Sequence, residues 1–315
     1  MNRSKWLAGI LIAFALTACR EPRSVIFDTD WWTDVDDACA IRLLLDAERK
    51  GQISLLGICL SAVRETSVSS LSAFLSEEGR TDVLLGEDRQ AVDYTGVPSY
   101  HQYILDAAPE WPAFLTAEDC VSFYRRLLSR SRRKVDLIAV GYPNALARLL
   151  QSGPDSLSRK SGEELVRRKV RHLWMMAGEY PEGRENNFAR TPRSRTAGRI
   201  LLDRWPTSVT FLGYETGIRV KVGGVLPPDD LLKRILEVHG SGTGRYAWDP
   251  MLTEIACAGD PAACGYKTIS GTVQLDEDTG ENRFIPSLTG LHRYVRMTRP
   301  PEEYRRRLDS LLLRR

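Results

Sequence analysis

The stretch VIFDTDWWTDVDDACAI, from Val25 to Ile41, joins an apolar β-branched run to a helical pattern through an aspartate-rich loop. Within this stretch stand Asp28, Asp30, Asp34, Asp36 and Asp37. Like charges a few ångströms apart oppose each other's ionisation, so the cluster predicts a bound cation. Several oxygen ligands on a flexible loop, with no His among them, favour Ca²⁺ over the strictly octahedral Mg²⁺. The loop is not an EF-hand, because it lacks that motif's turn glycine and twelfth-position glutamate.

Strand and helix patterns alternate along the chain beyond this loop. The predicted strands are Val25–Phe27, Ile53–Leu60, Asp82–Leu85, Val135–Val140, Val170–Met176 and Ser208–Leu212. The predicted helices are Asp37–Lys50, Val68–Ser76, Ala117–Ser129, Asn144–Leu150 and Arg193–Arg204. This alternation predicts an α/β fold with a mostly parallel central sheet and helices on both faces, in a single domain. Residues 220–315 are expected to add helices and a small β-element to the same domain.

Polar loops follow three of the predicted strands. The aspartate-rich loop follows the first strand, AVGYPN ends the strand at Val140, and AGEYPEGRENNF follows the strand that ends at Met176. Ligands of open α/β sheets bind outside the carboxyl ends of the strands. The sequence therefore predicts one ligand site at that edge.

Composition limits the classes of function. The chain has 315 residues, of which 43% are hydrophobic and 27% charged, which suits a protein with a full core. The net charge of +3 includes Arg3 and Lys5 of the first segment, so no overall basic field attracts nucleic acid. The basic C-terminal segment EEYRRRLDSLLLRR is interpreted as the solvated face of a last amphipathic helix.

The N-terminal segment has the pattern of a targeting signal. Arg3 and Lys5 precede an apolar run that is too short to span a bilayer and ends in LTAC. This resembles a bacterial lipobox, which implies a signal peptide at 1–18, a lipidated Cys19, a tether at 19–23 and a domain at 24–315. Arg20 resembles the outer-membrane sorting pattern, so a lipid-anchored protein facing the periplasm is expected. An ordinary secretory peptide with an incidental cysteine is the alternative.

The remaining cysteines do not have the spacing of a zinc site. Cys39 and Cys59 lie in apolar patterns and are interpreted as small buried residues. Cys257 and Cys264 flank a Gly/Pro turn, and the sequence is compatible with either a disulfide or two free thiols at these positions.

With these motifs, the chain resembles the inosine/uridine-preferring nucleoside hydrolase family, in a bacterial branch with the loop DTDxxxDVDD. The resemblance runs from Ser24 to Leu313, and four further segments carry it: YRRLLSR...VDLIAVGYPNALARLL, MMAGEYPEGRENNF, RWPTSVTFLGYETG and YAWDPM. It implies calcium-dependent hydrolysis of the N-glycosidic bond of a ribonucleoside or related ribosyl compound, giving ribose and a free base. The expected partners are a small ribosyl substrate and the membrane, and nucleic acid is not expected. The sequence does not decide between a monomer and a homo-oligomer.

The resemblance also implies roles for single residues. The metal ligands that it implies are Asp30, Asp37, Asp249 and the backbone carbonyl of Val140. Asp30 also matches the general base that deprotonates the attacking water. The substrate-binding residues that it implies are Asp36 at the ribose 2′-hydroxyl, Glu185 and Asn187 at the sugar, and Trp248. Asp28 is expected to support the loop, and Asp34 is open between a surface carboxylate and a ligand.

Two positions depart from the family's pattern. Trp248 stands where its members carry His, and Arg64 and Glu65 stand in the loop where they carry Asn. An indole cannot deliver a proton at neutral pH. Either the acid is one of the four imidazoles, at His101, His172, His239 and His292, or the leaving group needs none. Of these, His292 is interpreted as structural.

Two questions stay open on the sequence alone. Trp31 and Trp32 either stack on a base or sugar or pack the loop. The alternative function is a non-catalytic lipoprotein that keeps the calcium and ribose pocket.

Overall fold

The computed structural model describes residues 21–107 and 116–313. The signal peptide predicted at 1–18 and the lipidation site at Cys19 lie outside these residues. Within the described ranges, no helix has both the length and the apolar content needed to cross a membrane.

Most strands of the described ranges belong to one sheet. The strands are β1 (Arg23–Thr29), β2 (Ile53–Leu60), β3 (Leu85–Glu87), β4 (Glu118–Asp119), β5 (Val135–Ala139), β6 (Val170–Met176), β7 (Glu182–Gly183), β8 (Ser208–Leu212), β9 (Lys221–Val222), β10 (Arg245–Tyr246), β11 (Tyr266–Leu275), β12 (Asn282–Pro286) and β13 (His292–Met297). The central sheet has the order β4-β3-β2-β1-β5-β6-β8-β13-β11-β12-β7, and β9 pairs with β10 apart from it. Pairing is parallel from β4 through β13 and antiparallel from β13 to β7.

Helices connect the parallel strands and cover both faces of the sheet. They are α1 (Asp36–Arg49), α2 (Ser67–Glu77), α3 (Ser99–Ala107), α4 (Cys120–Arg130), α5 (Asn144–Gln151), α6 (Gly162–Lys169), α7 (Asn186–Ala189), α8 (Pro192–Arg204), α9 (Tyr214–Gly217), α10 (Leu231–Val238), α11 (Trp248–Ala258) and α12 (Pro301–Leu312). Alternate side chains of a strand point to opposite faces. Accordingly Val25 and Phe27 of β1 join the core that includes α1 and α11, whereas Ile26 joins the core that includes α4 and α5.

The predicted fold class is confirmed, and three predicted strands, β2, β6 and β8, match residue for residue. The predicted strand Asp82–Leu85 is displaced, because its pairing with β2 begins at Leu85. The helix predicted from Ala117 begins at Cys120, since Glu118 and Asp119 pair with β3 and the Asp119 side chain caps the helix. The predicted last helix is α12, which buries Tyr304, Leu308 and Leu312.

The C-terminal third departs further from the sequence prediction. Residues 220–315 were expected to carry a small β-element, but β11, β12 and β13 extend the central sheet itself. The parallel pair β13–β8 makes this continuation, and the ten-residue β11 then pairs antiparallel on both sides.

The five cysteines of the described ranges are buried and free. Cys257 lies in the last turn of helix α11 and Cys264 lies in the turn before β11, and no disulfide joins them. Burial raises the pKa of both thiols to about 12, so they stay protonated at neutral pH.

Candidate functional site

A cavity of about 380 Å³ lies at the carboxyl edge of the central sheet. It opens where the loops after β1, β5, β6 and β8 meet the first turns of α1 and α11. Its lining residues are Asp30, Trp32, Thr33, Asp34, Asp36, Asp37, Val140, Tyr142, Met176, Glu185, Asn186, Asn187, Arg190, Tyr214, Arg245, Tyr246, Trp248 and Asp249. All the predicted catalytic, metal and substrate residues of the domain therefore line one cavity. A larger crevice of about 690 Å³ lies near β7 and β12, and none of these predicted residues lines it.

The loop after β1 is held by Trp31, which adopts a left-handed backbone conformation with φ of 41°. Its side chain is fully buried, donates a hydrogen bond from Nε1 to Ser70 Oγ at 3.0 Å, and packs on Phe74 and Tyr100. A non-glycine residue with this φ is strained, so the buried ring must hold the turn in place. Trp31 thus packs the loop, whereas the next residue, Trp32, lines the cavity.

Three carboxylates meet on the floor of the cavity. One oxygen each of Asp36, Asp37 and Asp249 lie within 4.8 Å of one another, and all three side chains are buried. Two oxygens on opposite sides of one Ca²⁺ are about 5 Å apart, given a metal–oxygen distance of about 2.3–2.6 Å. The set therefore has the size of one coordination sphere. Asp30 lines the same cavity but is not one of these three.

Each of the three occupies the first turn of a helix. Asp36 and Asp37 begin α1. Asp249 is the second residue of α11, and its backbone N–H donates to Asp36 Oδ2 at 3.2 Å. Asp37 Oδ1 accepts from Thr29 Oγ1 and, at 3.3 Å, from the N–H of Trp31. The positive ends of two helices favour negative charge here, and these hydrogen bonds orient the carboxylates.

Burial and mutual repulsion change the acidity of this cluster. Burial raises the pKa of Asp37 to about 7. Burial, followed by the charges of neighbouring aspartates, raises the pKa of Asp30, Asp36 and Asp249 well above the usual range. Without a cation, protons must neutralise the cluster. A hard divalent cation fits these oxygen donors, because it removes the repulsion that protons otherwise relieve.

A backbone carbonyl and an amide complete this part of the cavity. Asn187 Nδ2 donates to the carbonyl of Val140 and to that of Met176, both at 2.9 Å, and so ties the ends of β5 and β6 together. Gly141, the residue after Val140, has no room for a side chain, because a Cβ there would lie 2.5 Å from the backbone nitrogen of Asp30. The chain after β5 is therefore held close against the aspartate-rich loop.

Glu185 is a buried N-cap that also lines the cavity. Its carboxylate accepts hydrogen bonds from the N–H of Gly178 at 2.9 Å and from that of Asn187 at 2.7 Å. Burial raises its pKa to about 7 in spite of these bonds. The cap fixes α7, and with it the side chain of Asn187.

Asp34 and Asp28 lie outside the group of three carboxylates. The sequence leaves the role of Asp34 open and predicts that Asp28 supports the loop. Asp34 forms an ion pair with Arg245, with Nε 2.7 Å from Oδ1. Burial acts to raise the pKa of Asp34, but the bonds and charge of Arg245 outweigh it and lower the pKa. Asp28 lies within β1 outside the cavity lining, and accepts a hydrogen bond from Tyr124 Oη at 2.5 Å.

Aromatic side chains form the walls above the carboxylates. On one side Trp248 stacks on Tyr214, with ring centroids 5.4 Å apart, and donates from Nε1 to the Tyr214 carbonyl at 2.9 Å. A Cβ on Gly217 would lie 2.1 Å from Trp248 Cδ1, so a glycine is needed for the indole to fit. On the other side, the Arg190 guanidinium lies 5.1 Å above the Trp32 ring. The walls offer flat surfaces for a planar ligand.

None of the four imidazoles lines the cavity. His101 stacks on Trp31, His292 Nδ1 accepts from the N–H of Val273 at 3.0 Å, and His172 lies at the start of β6. Burial lowers the pKa of His101 to about 3 and those of His172 and His292 to about 4. His239 contacts the carbonyl of Thr33 behind the loop, at 3.1 Å. Arg64 and Glu65 also lie outside the lining.

Several cavity residues were missed by the sequence analysis. Tyr142 and Tyr214 directly follow β5 and β8, so the rule on carboxyl strand ends could have identified both. Arg190 follows α7, one turn beyond the predicted Asn187, and Arg245 pairs with an aspartate 211 positions away. No local pattern marks these two arginines.

No protein-family model matches the chain, and no curated protein matches it. Solved structures do. The inosine-uridine preferring nucleoside hydrolase of Bacillus anthracis matches with a TM-score of 0.66 at 14% identity, over 92% of this chain and 97% of that chain. The purine-preferring ribonucleoside hydrolase of Gardnerella vaginalis matches with a TM-score of 0.67 at 17% identity, over 92% and 99%. The type III effector protein XopQ complexed with adenosine diphosphate ribose matches with a TM-score of 0.65 at 15% identity, over 92% and 93%. The chain therefore has the fold of the nucleoside hydrolases along almost its whole described length.

Proposed function

We propose that the protein is a calcium-dependent hydrolase that cleaves the N-glycosidic bond of a ribonucleoside or related ribosyl compound, giving ribose and a free base. The observation that carries the proposal is the set of three buried carboxylates beneath aromatic walls, in a fold shared with nucleoside hydrolases. Such a floor suits a cation and the hydroxyls of a sugar, and such walls suit a planar base.

The residues that would hold the cation are Asp30, Asp37, Asp249 and the carbonyl of Val140, with Asp36 beside them. When bound, a divalent cation supplies a positive charge that lowers the pKa of water and orients vicinal hydroxyls. Asp36 would also hold the ribose 2′-hydroxyl, while Glu185 and Asn187 bind the rest of the sugar. These side chains keep the anomeric carbon close to the general base.

In the reaction that we propose, Asp30 accepts a proton from a water whose oxygen bonds to the anomeric carbon. The N-glycosidic bond breaks, and its electron pair leaves with the base. The surrounding carboxylates stabilise the oxocarbenium-like transition state, which carries positive charge on the sugar. Trp248 and Tyr214 offer the departing base a stacking surface.

The base departs as an anion and takes up a proton from solvent, while Asp30 releases to solvent the proton that it accepted from water. No imidazole lines the cavity among the described residues, and Trp248 cannot donate a proton at neutral pH. The proposed substrates are therefore ribosyl compounds whose leaving group departs without protonation by a histidine.

The test is hydrolysis of nitrophenyl riboside, whose leaving group needs no proton. We expect calcium-dependent turnover, and a loss of about a hundredfold or more in Asp30→Asn, because a positioned general base contributes that much. Asp82→Asn removes an exposed carboxylate outside the cavity and is the matched control. Equal activity in wild type and Asp30→Asn would overturn the proposal.

A non-catalytic binding protein is the second candidate. It is favoured because no imidazole of the described residues lines the cavity. The same assay separates the two. Calcium-dependent ribose binding, measured by calorimetry, together with no turnover of nitrophenyl riboside would support the binding protein.

For localisation, we propose that a signal peptide at 1–18 is removed and that Cys19 is lipidated, which anchors the domain at 24–315 to the outer membrane. The targeting pattern of the sequence supports this. Cys19→Ser is expected to shift the protein from the membrane fraction to a soluble or unprocessed form. Wild-type protein that is wholly soluble, with an unmodified Cys19, would contradict the anchor.

A further inference from the structure

The edge of the sheet opposite the cavity is rich in basic side chains. Each helix that follows a parallel strand runs back across the sheet, so helix C-termini collect at the amino ends of the strands. Before β5 and before β6 stand Arg130, Arg132, Arg133, Lys134, Arg167, Arg168 and Lys169, which we call the basic edge. Because β5 pairs with β6 from Val135 and Val170, the two groups are neighbours. Lys169 Nζ donates to the carbonyl of Ser131 at 2.7 Å, which joins them directly.

Part of this charge has a structural explanation. Basic residues in the last turn of a helix complement its dipole, and Arg133 and Arg167 pair with Glu21 and Glu163. Arg132, Lys134 and Arg168 are different. They are exposed, and none forms an ion pair with any carboxylate in the described ranges. Internal pairing therefore does not account for these three residues. Arg132 and Lys134 also lie outside any helix, whereas Arg168 is in the last turn of α6.

A crevice of about 460 Å³ adjoins the basic edge where β1 begins. Its lining residues are Glu21, Pro22, Arg23, Ser24, Arg133, Lys134 and Arg171. Four of these seven are cationic. Arg23 and Arg171 share one carboxylate, Asp136, and Arg133 pairs with Glu21, so the cations outnumber the carboxylates, which suits a phosphate group rather than an apolar ligand.

The described strand nearest to Cys19 in the sequence starts at this edge. Strand β1 begins at Arg23, at the amino edge of the sheet. Cys19 is four residues earlier in the sequence, and four residues span at most about 14 Å. A lipid on Cys19 would therefore hold the basic edge at the level of the headgroups. One lipid chain alone gives reversible binding, and a basic surface is a common second signal.

We propose that the basic edge docks on a bilayer surface that carries anionic phospholipids, so that the cavity at the carboxyl edge faces away from the membrane. Charge complementarity and the position of Cys19 favour this occupant. Each cationic side chain near an anionic bilayer raises binding about fivefold. The proposal does not depend on the chemistry of the cavity.

The test uses the chain from Arg20 onward, so that no lipid contributes. Its core is complete, because the buried apolar residues of the described ranges lie between Val25 and Leu312. Sedimentation is measured with vesicles of phosphatidylcholine, alone or mixed with phosphatidylglycerol. We expect binding to the mixed vesicles that weakens as salt rises, and no binding to the neutral ones.

The matched variants reverse three charges each. Arg132→Glu/Lys134→Glu/Arg168→Glu alters the basic edge and is expected to weaken vesicle binding about a hundredfold. Arg234→Glu/Lys267→Glu/Arg296→Glu alters exposed residues elsewhere that form no ion pair within the described ranges, and it is expected to keep vesicle binding, with equal melting temperatures as the check on folding. Equal losses in both variants, binding to neutral vesicles, or binding to single-stranded DNA without binding to vesicles would overturn the proposal.

Discussion

The two edges of the central sheet both bury carboxylates, but they neutralise them differently. At the amino edge, Asp136 is 1% exposed and accepts from both Arg23 and Arg171 at 2.6 Å. At the carboxyl edge, Asp36, Asp37 and Asp249 are as deeply buried, yet no arginine or lysine of the described ranges forms an ion pair with them. A buried carboxylate that has its own arginine is part of the framework. A buried group of carboxylates without one must be neutralised from solution, either by a metal cation or by protons.

The largest expected effect is at the amino edge. Asp136→Asn leaves Arg23 and Arg171 without their carboxylate, and Arg23 is largely buried. We expect a loss of about 3 kcal/mol in the free energy of unfolding, because one partner of a buried pair is removed. Denaturant titration measures it, and the loss should be the same in calcium and in chelator. Asp82→Asn, whose partner Arg80 is also solvent-accessible, should lose less than about 0.5 kcal/mol.

At the carboxyl edge, stability should depend on the cation. If the proposed cation is calcium, then calcium at about a hundred times its dissociation constant should stabilise the folded state by about 2.7 kcal/mol, and chelator should remove this gain. Asp37→Asn removes one carboxylate of the three but keeps the shape of the side chain. In calcium the variant should melt at a lower temperature than wild type, and in chelator the two should converge.

The cation assignment is contradicted if chelator lowers the melting temperature of wild type and Asp37→Asn equally. A loss in Asp37→Asn that persists in chelator would show that this residue resembles Asp136, a framework carboxylate, rather than part of a cation site.

Asp34 tests whether the role of a carboxylate depends on its having an ion-pair partner or on its lying at the carboxyl edge. It lies at the carboxyl edge but has its own cation, Arg245. If pairing decides, Asp34→Asn should keep the calcium-dependent rise in melting temperature and lose about 1 kcal/mol of stability, as a partly exposed pair does. Loss of the calcium response would instead make Asp34 a ligand.

The sequence predicts features that depend on neighbouring residues. The aspartate-rich loop, the strands β2, β6 and β8, and the use of the carboxyl edge all follow from local patterns. Helix α6 was missed because its sequence GEELVRRK is mostly charged, although Ser161 and Glu164 form the capping box that could have identified it.

Features that join distant segments could not be predicted in this way. The hydrogen bond between Asp36 and Asp249 joins residues 213 positions apart, and Asp249 entered the prediction through a family resemblance. Trp31 and Trp32 are adjacent and identical in sequence, yet the first packs the loop and the second lines the cavity. The two side chains reach different surroundings because Trp31 has a φ of 41°. The packing around the Trp31 ring fixes this backbone conformation.

The smallest expected effect is a pH dependence that belongs to the amino edge. His172 is the third residue of β6 and lies beside Asp136. Burial lowers its pKa from 6.5 to about 4; the charge of Asp136 opposes this shift, and repulsion from Arg293, Arg171 and Arg23 adds to it. A lowered pKa in the folded state means that the stability of neutral His172 is fully present above pH 6.5 and is lost as the pH falls towards 4.

His172→Gln cannot titrate and retains a hydrogen-bonding partner for Thr210, which lies 2.9 Å from His172 Nε2. Between pH 7 and 6, wild type should therefore lose about 0.7 kcal/mol more stability than the variant. Denaturant titrations of both proteins in chelator measure the difference, because calcium release from the carboxyl edge then contributes to neither. The raised pKa of Asp37 acts with the opposite sign, since its protonation stabilises the cation-free fold on acidification, but it is common to both proteins and cancels. Parallel stability curves would show that His172 is free to protonate in the folded state, and that the amino edge tolerates a further positive charge beside its arginines.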